Sequence, residues 1–544
     1  MRTETLRMAS RFSRAAILCA AVLAAAAAPG CAHPAPRADL NVRMVLFSEP
    51  TSLSLIGNPD ANSSQIASLL SDGLVGYDAQ CRYVPMVARS WELSPDGLAL
   101  TFHLRDGVVW HDGEPVTARD VVFTVRKVQD PATQAREWIS SFTDIAAIDT
   151  PDDRTVVVRY KQPHADALDG WRVPLVPEHV AARDSDFLNG AFAQHPIGCG
   201  PFRFVDRVPE QRIEIAAFDK YWQGRPSIDG IRFEIVANDR TGYEALLLGQ
   251  VDLMGLPPDL WRESLSSPRA ASLARFVYYK LSVWKIDWNQ DGSNPVFTDP
   301  RVRRAMVEAL DRPRFAETVM AGLARPAVGS FLPESPWTDR SIAPIPFDRA
   351  ASERALDEAG WRRPPGGGVR EKDGKPLRFT LMIPATSQDI VDRLGAWVQE
   401  SIGAVGADVH VEKVEWRAFQ DRRRKHRFDA ALAINVFDAT PDQFDLYHSS
   451  ARERGFNYGG VADPELDRLL EAGRTMTDLT ARQDIYRQLQ ARLHELEPMS
   501  ALFQTAQPVV HDARLLGVAS SPQGLLAFDP GPRAWHWAGT DSNR

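Results

Sequence analysis

An α/β fold of more than one domain is predicted for this chain by three observations. Its 544 residues exceed what one hydrophobic core usually serves. Strand-like and helix-like segments alternate along nearly the whole chain. Beyond the first thirty residues, no apolar run is long enough to span a membrane, and neither heptads nor short-period repeats occur. Hydrophobic residues make up 44% and charged residues 25%, an ordinary globular balance. The net charge of -8 leaves no basic excess to neutralise phosphates, so nucleic acid is not an expected partner.

The first thirty residues read as a secretory signal peptide. Arg2, Arg7, Arg11 and Arg14 precede an unbroken apolar run over 15–28, and Pro29-Gly30-Cys31 follows. The run is short for a membrane span. Cys31 sits where a lipobox places its acylated cysteine, so a lipid anchor at Cys31 is an expectation, with simple cleavage as the alternative. Cys81 and Cys199 are left in the exported part. An oxidising compartment would permit their pairing, but their spacing does not decide it.

Along the chain, Leu100, Phe102 and Leu104 alternate with polar residues and predict a half-buried strand. Asp106-Gly107 makes a turn, 108–111 reads as a second short strand, and Asp112-Gly113 turns again. Thr117 with Asp120 forms a capping box for a helix that buries Val121, Val122, Val125 and Val128. Residues 145–160 read as a hairpin turning over 149–153, and 211–217 and 231–236 as strands. A helix around 243–248 stops at Gly249. Asp299-Pro300 and Asp463-Pro464 each pair an N-cap acid with a proline in the first turn. Thr480 with Gln483 predicts a further capping box. Residues 362–376 have loop composition and read as an exposed hairpin or insertion.

Several of these segments together resemble the extracytoplasmic solute-binding proteins of family 5, the dipeptide-, oligopeptide- and nickel-binding receptors of ABC importers. The longest match is Pro85-Met86-Val87-Ala88-Arg89-Ser90-Trp91-Glu92, followed by Ser94-Pro95-Asp96-Gly97, Thr101-Phe102-His103-Leu104-Arg105-Asp106-Gly107 and Trp110-His111-Asp112-Gly113-Glu114-Pro115-Val116-Thr117. Gly198-Cys199-Gly200-Pro201-Phe202, Asp219-Lys220-Tyr221-Trp222, Gly249-Gln250-Val251-Asp252, Thr298-Asp299-Pro300-Arg301 and Asp463-Pro464-Glu465-Leu466-Asp467 follow in the family's order. Cys199 stands where the family usually has threonine. The resemblance implies a bilobal fold of the periplasmic-binding-protein type II kind, with a hinge and an extra subdomain in lobe I. Lobe I would comprise 38–80, 196–283 and 503–544, the subdomain 81–195, and lobe II 284–502, with crossings near 281–289 and 499–504. It implies a monomer that captures a peptide or related small solute by hinge closure and delivers it to the permease subunits of an ABC importer, without cofactor or catalysis.

By the same resemblance, the ligand's ammonium would be held by a carboxylate just after an apolar strand of lobe II. Asp438 follows Ala431-Leu432-Ala433-Ile434-Asn435-Val436-Phe437 and is the candidate, with Phe437 beside it and Asp442 as rival. Asn457 and Tyr458, in a glycine-bounded loop, are candidates for a pocket wall, and Trp284 for stacking on a ligand side chain. The pattern singles out no arginine or lysine for a ligand carboxylate. A non-peptide solute (nickel chelate, haem, opine, oligosaccharide), a ligand sensor and, remotely, a periplasmic hydrolase are the alternatives. The twelve histidines are scattered without metal-ligand spacing, and no nucleophile or metalloprotease motif has a convincing context.

Overall fold

The computed structural model describes residues 39–540, apart from 58–59, 136, 185 and 386–388. The signal segment and Cys31 therefore lie outside the described residues.

Twelve strands join in one sheet. Among the described residues, ten of them run in the order Asp408–Val414, Arg378–Pro384, Ala430–Val436, Ser282–Trp288, Met499–Asp512, Leu253–Gly255, Val42–Leu46, Gly230–Ile235, Arg212–Ala217, Phe202–Val208, and the other two, Leu273–Tyr279 and Ala324–Pro326, each pair with Met499–Asp512 off this path. The 14-residue strand Met499–Asp512 is its seam. Its first residues pair with Ser282–Trp288, while residues 506–512 pair with Leu273–Tyr279. Lys280 and Leu281 are thus the only residues between two long strands that hydrogen-bond to the same partner at different places along it.

The strand Ser282–Trp288 is buried at all seven positions. Apolar residues alone would make it an ordinary core strand, yet it carries Lys285 and Asp287. These two alternate onto one face and pair with each other at 2.6 Å, and Arg423 reaches Asp287 at 2.6 Å. On its other face Ile286, Trp284 and Trp288 join a core with Phe297, Phe379, Leu432 and Phe503.

A separate four-stranded sheet runs Ala88–Leu93, Ala99–Leu104, Thr155–Tyr160, Ile145–Asp152. Leu100, Phe102 and Leu104 are buried, as their alternation predicts. The helix Ala118–Gln129 packs over this sheet behind the expected box, with Thr117 N–H donating to Asp120 Oδ2 at 2.8 Å. Asp299 and Asp463 cap Pro300–Glu308 and Pro464–Thr475. The 362–376 segment holds the small hairpin Glu371–Lys372 with Lys375–Pro376.

Three expectations are corrected. Residues 108–111 form no strand. Only Val109 bridges Pro115, because two tight turns four residues apart leave no room for a ladder. The strand Ile145–Asp152 runs through the expected turn, since a register shift between Asp149 and Asp152 absorbs Pro151. The helix Leu479–Leu496 is capped by Asp478, which accepts from Ala481 N–H, so Thr480 lies inside its first turn. Cys81 and Cys199 are both free, with Cys199 buried 3.6 Å from Ser71 Oγ.

Candidate functional site

A cavity of about 530 Å³ opens where the strand ends of the large sheet face residues 137–174. Its size is that of a small-molecule site. The helix Ala61–Leu70 supplies Ser64 and Ser68 to one wall. Asp60 starts that helix by accepting from Ser63 N–H at 3.0 Å. Beyond it, Gly73 must be glycine, because a Cβ there would stand 2.7 Å from the Arg172 carbonyl. This close approach sets Arg172 against Tyr77, with its guanidinium 4.4 Å from the ring centroid. Val436 and Phe437, at the end of Ala430–Val436, form the facing wall, and 522–533 closes the far side.

The corner around Arg172 is acidic. Arg172 Nε donates to Asp169 Oδ1 at 2.9 Å and Nη2 to Asp169 Oδ2 at 3.1 Å. The Tyr77 hydroxyl adds a bond to Asp169 at 2.7 Å. Burial pushes the Asp169 carboxyl upward, but Arg172 and the hydroxyls outweigh it and hold it below the usual range. Asp438 stands at the cavity's edge, 3.9 Å from Arg172 Nη2, with its side chain 69% exposed. Crowding by the cleft walls and the charge of Asp169 push it up to about 6, against the pull of Arg172. Burial also raises Glu137, which lines the same corner. One guanidinium, already paired with Asp169, thus faces two further carboxyls whose ionisation is disfavoured. An added cation here would relieve them.

At the other end of the cavity Asp72 is buried and accepts from the Tyr221 hydroxyl at 2.9 Å and Trp222 Nε1 at 3.0 Å. Burial raises it to about 6. The family-like Asp219-Lys220-Tyr221-Trp222 stretch therefore ties the cavity floor to the sheet.

Residues 82–457 match the family described as bacterial extracellular solute-binding proteins, family 5 Middle. The chain belongs to the family 5 solute-binding proteins. This family 5 chain is 32% identical over 492 residues to Protein XP55 of Streptomyces lividans, covering 87% of the chain and 86% of that relative. It is 27% identical over 491 residues to the oligopeptide-binding protein AppA of Bacillus subtilis, covering 88% of each. The structure of AppA with a nonapeptide superposes with a TM-score of 0.76 at 24% identity, over 92% of this chain and 99% of that one. NikA of Brucella suis with Fe(III)-EDTA superposes at 0.80 and 23% identity, over 91% and 100%. The fold is the bilobal periplasmic-binding architecture expected from the motifs.

In this family 5 protein the candidate residues fall in different places. Phe437 lines the cavity and Asp438 stands at its edge. Asn457 is buried. Its amide donates to the carbonyls of His448 and Val461 and accepts from Val461 N–H, so the side chain staples its own loop. The Arg423 guanidinium lies 4.2 Å from the Tyr458 ring centroid, beside the Lys285–Asp287 pair. Trp284 packs in the core. These three are not among the residues that line the cavity. Asp442 is bound to Arg474 at 2.7 Å. Glu137, Asp169 and Arg172 carry no periodic or motif signal in the sequence, and only the fold brings them to Asp438. Among the described residues, no group of three or more His, Cys, Asp or Glu side chains is placed to hold a metal ion, and no helix is long and apolar enough to cross a membrane.

Proposed function

We propose that this protein is the extracytoplasmic receptor of an ABC importer and captures short peptides with a free amino terminus. The observation that carries the proposal is the acidic corner of the cavity. Asp438 and Glu137, with Asp169 already engaged by Arg172, have carboxyls raised by their surroundings and gain from an ammonium group. A polyanionic chelate would find Arg172 already occupied and the carboxyls repulsive. The peptide-bound relative supports the same choice.

Capture works by hinge closure of two lobes, 38–80 with 196–283 and 503–544 on one side, carrying the 81–195 subdomain, and 284–502 on the other. Ligand bridging the lobes favours the closed form only through contacts made better there. Closure hides the solute from water and presents a changed surface to permease subunits. Cys31 anchors the mature, monomeric protein to the membrane through lipid. No bond is made or broken in the solute.

Calorimetric titration tests the anchor. Asp438→Ala is expected to weaken peptides with a free amine by at least about tenfold, the scale of a charge-assisted contact, and to leave N-acetylated peptides nearly unchanged. Equal losses for both would reject Asp438 as the ammonium partner.

A further inference from the structure

Among the described residues, three cations line the cavity, namely Arg172, Lys280 and Arg533. Two are committed to protein carboxylates: Arg172 to Asp169, and Arg533 to Asp529 at 2.8 Å. Lys280 is different. Its ammonium has neither an ion pair nor a hydrogen bond to any described residue, and burial alone lowers its pKa. A half-buried ammonium without a partner is destabilising unless something else pairs with it.

Its position is fixed by the backbone. Lys280 sits between the strands Leu273–Tyr279 and Ser282–Trp288, and its carbonyl accepts from Gln504 Nε2 at 2.8 Å. The next residue, Leu281, donates its N–H to the Pro522 carbonyl at 3.2 Å, which holds 521–524 alongside. The Lys280 stem runs past Gly524, with Cε 4.0 Å from where a Cβ on that glycine would stand. Gln523, in the same turn, also lines the cavity, and its Nε2 is buried without a hydrogen-bond partner among the described residues. An ammonium and an amide N–H, both without a partner among the described residues and both on residues that line the cavity, complement an anion with two acceptor oxygens. Across the register, Phe437 N–H donates to the Leu281 carbonyl at 2.7 Å, so Lys280 and Asp438 flank the same rung of the sheet.

We propose that Lys280, with the Gln523 amide beside it, holds a carboxylate of the bound solute. The inference rests on the peptide assignment above and sharpens it to a solute with both an ammonium and a carboxylate. The carboxylate is either the peptide's own terminus or an acidic side chain.

The test uses the full exported protein and three peptide pools of equal length. One lacks Asp and Glu and has a free carboxyl terminus, the second is its C-amide, and the third is the C-amide with one Glu. Wild type is expected to prefer one of the carboxylate-bearing pools over the plain amide by about tenfold or more. Lys280→Met should bring that ratio to about one, and Lys280→Arg should keep it. The pool that loses its advantage tells terminus from side chain. Without ligand, K280M should melt no lower than wild type, which separates lost recognition from lost folding. A preference that survives in K280M, or a wild type indifferent to carboxylate, overturns the subsite and leaves the peptide assignment standing. Failure of wild type to bind any pool overturns both.

Discussion

Asp438 meets two opposed influences at the cavity's edge. The cleft walls and Asp169 disfavour its ionisation, while Arg172 at 3.9 Å favours it, and the carboxyl comes to rest at about 6. An ammonium ligand needs the ionised form. Raising the pH through 6 therefore strengthens capture, and lowering it weakens capture. Between pH 7 and pH 5 the ionised fraction falls about tenfold, and affinity for a free-amine peptide should fall by a similar factor. Asp438→Asn should flatten the profile, as should N-acetylation of the peptide. A profile that keeps its step in Asp438→Asn would assign the titration to Glu137 or another neighbour. Asp438 stood out in the sequence as a candidate because the family resemblance points to the residue that follows the apolar strand 431–437. Lys280 did not, because a lone lysine between two β-rich stretches resembles any solvated loop cation until the strand Met499–Asp512 is seen to pair on both sides of it.

The strand Ser282–Trp288 shows what single elements contribute. Burial pushes the Asp287 carboxyl upward, but Lys285 and Arg423 together hold it below the usual range. Removing the shared anion would strand two buried cations. Asp287→Ala is accordingly expected to destabilise by about 3–5 kcal/mol, read from urea unfolding. A loss under about 1 kcal/mol would mean that the cations find water or another partner. The same cluster accounts for the placement of Tyr458, whose ring lies against Arg423 and outside the cavity lining. Helix starts were readable at Asp299 and Asp463, where an acid precedes proline at the head of an amphipathic stretch, since the chemistry is local. Thr480 misled because Asp478, two residues earlier, is the acceptor that begins the helix. Burial of Trp284 depends on partners distant in the chain, such as Leu432 and Phe503, which no local pattern carries, whereas Asn457 is taken up by bonds within its own loop, which its residue type alone does not reveal.

At the scale of the molecule, ordered motifs spread along the chain made the family legible, and the family carried the fold. What the motifs could not carry is the meeting of distant segments. Arg482, in the helix Leu479–Leu496, clasps Asp166, and Ala165 N–H donates to the Arg474 carbonyl at 2.8 Å. These contacts tie 164–166 to the helices Pro464–Thr475 and Leu479–Leu496. Closure of the lobes as proposed would enclose the ligand, and some of it should be retained through purification. Native mass spectrometry of the exported protein, isolated without denaturant, tests the peptide assignment most directly. The expected spectrum shows protein carrying added masses that fragment, on release, as short peptides with a free amino terminus. Release of a metal chelate, a saccharide or another solute without a peptide bond would contradict it.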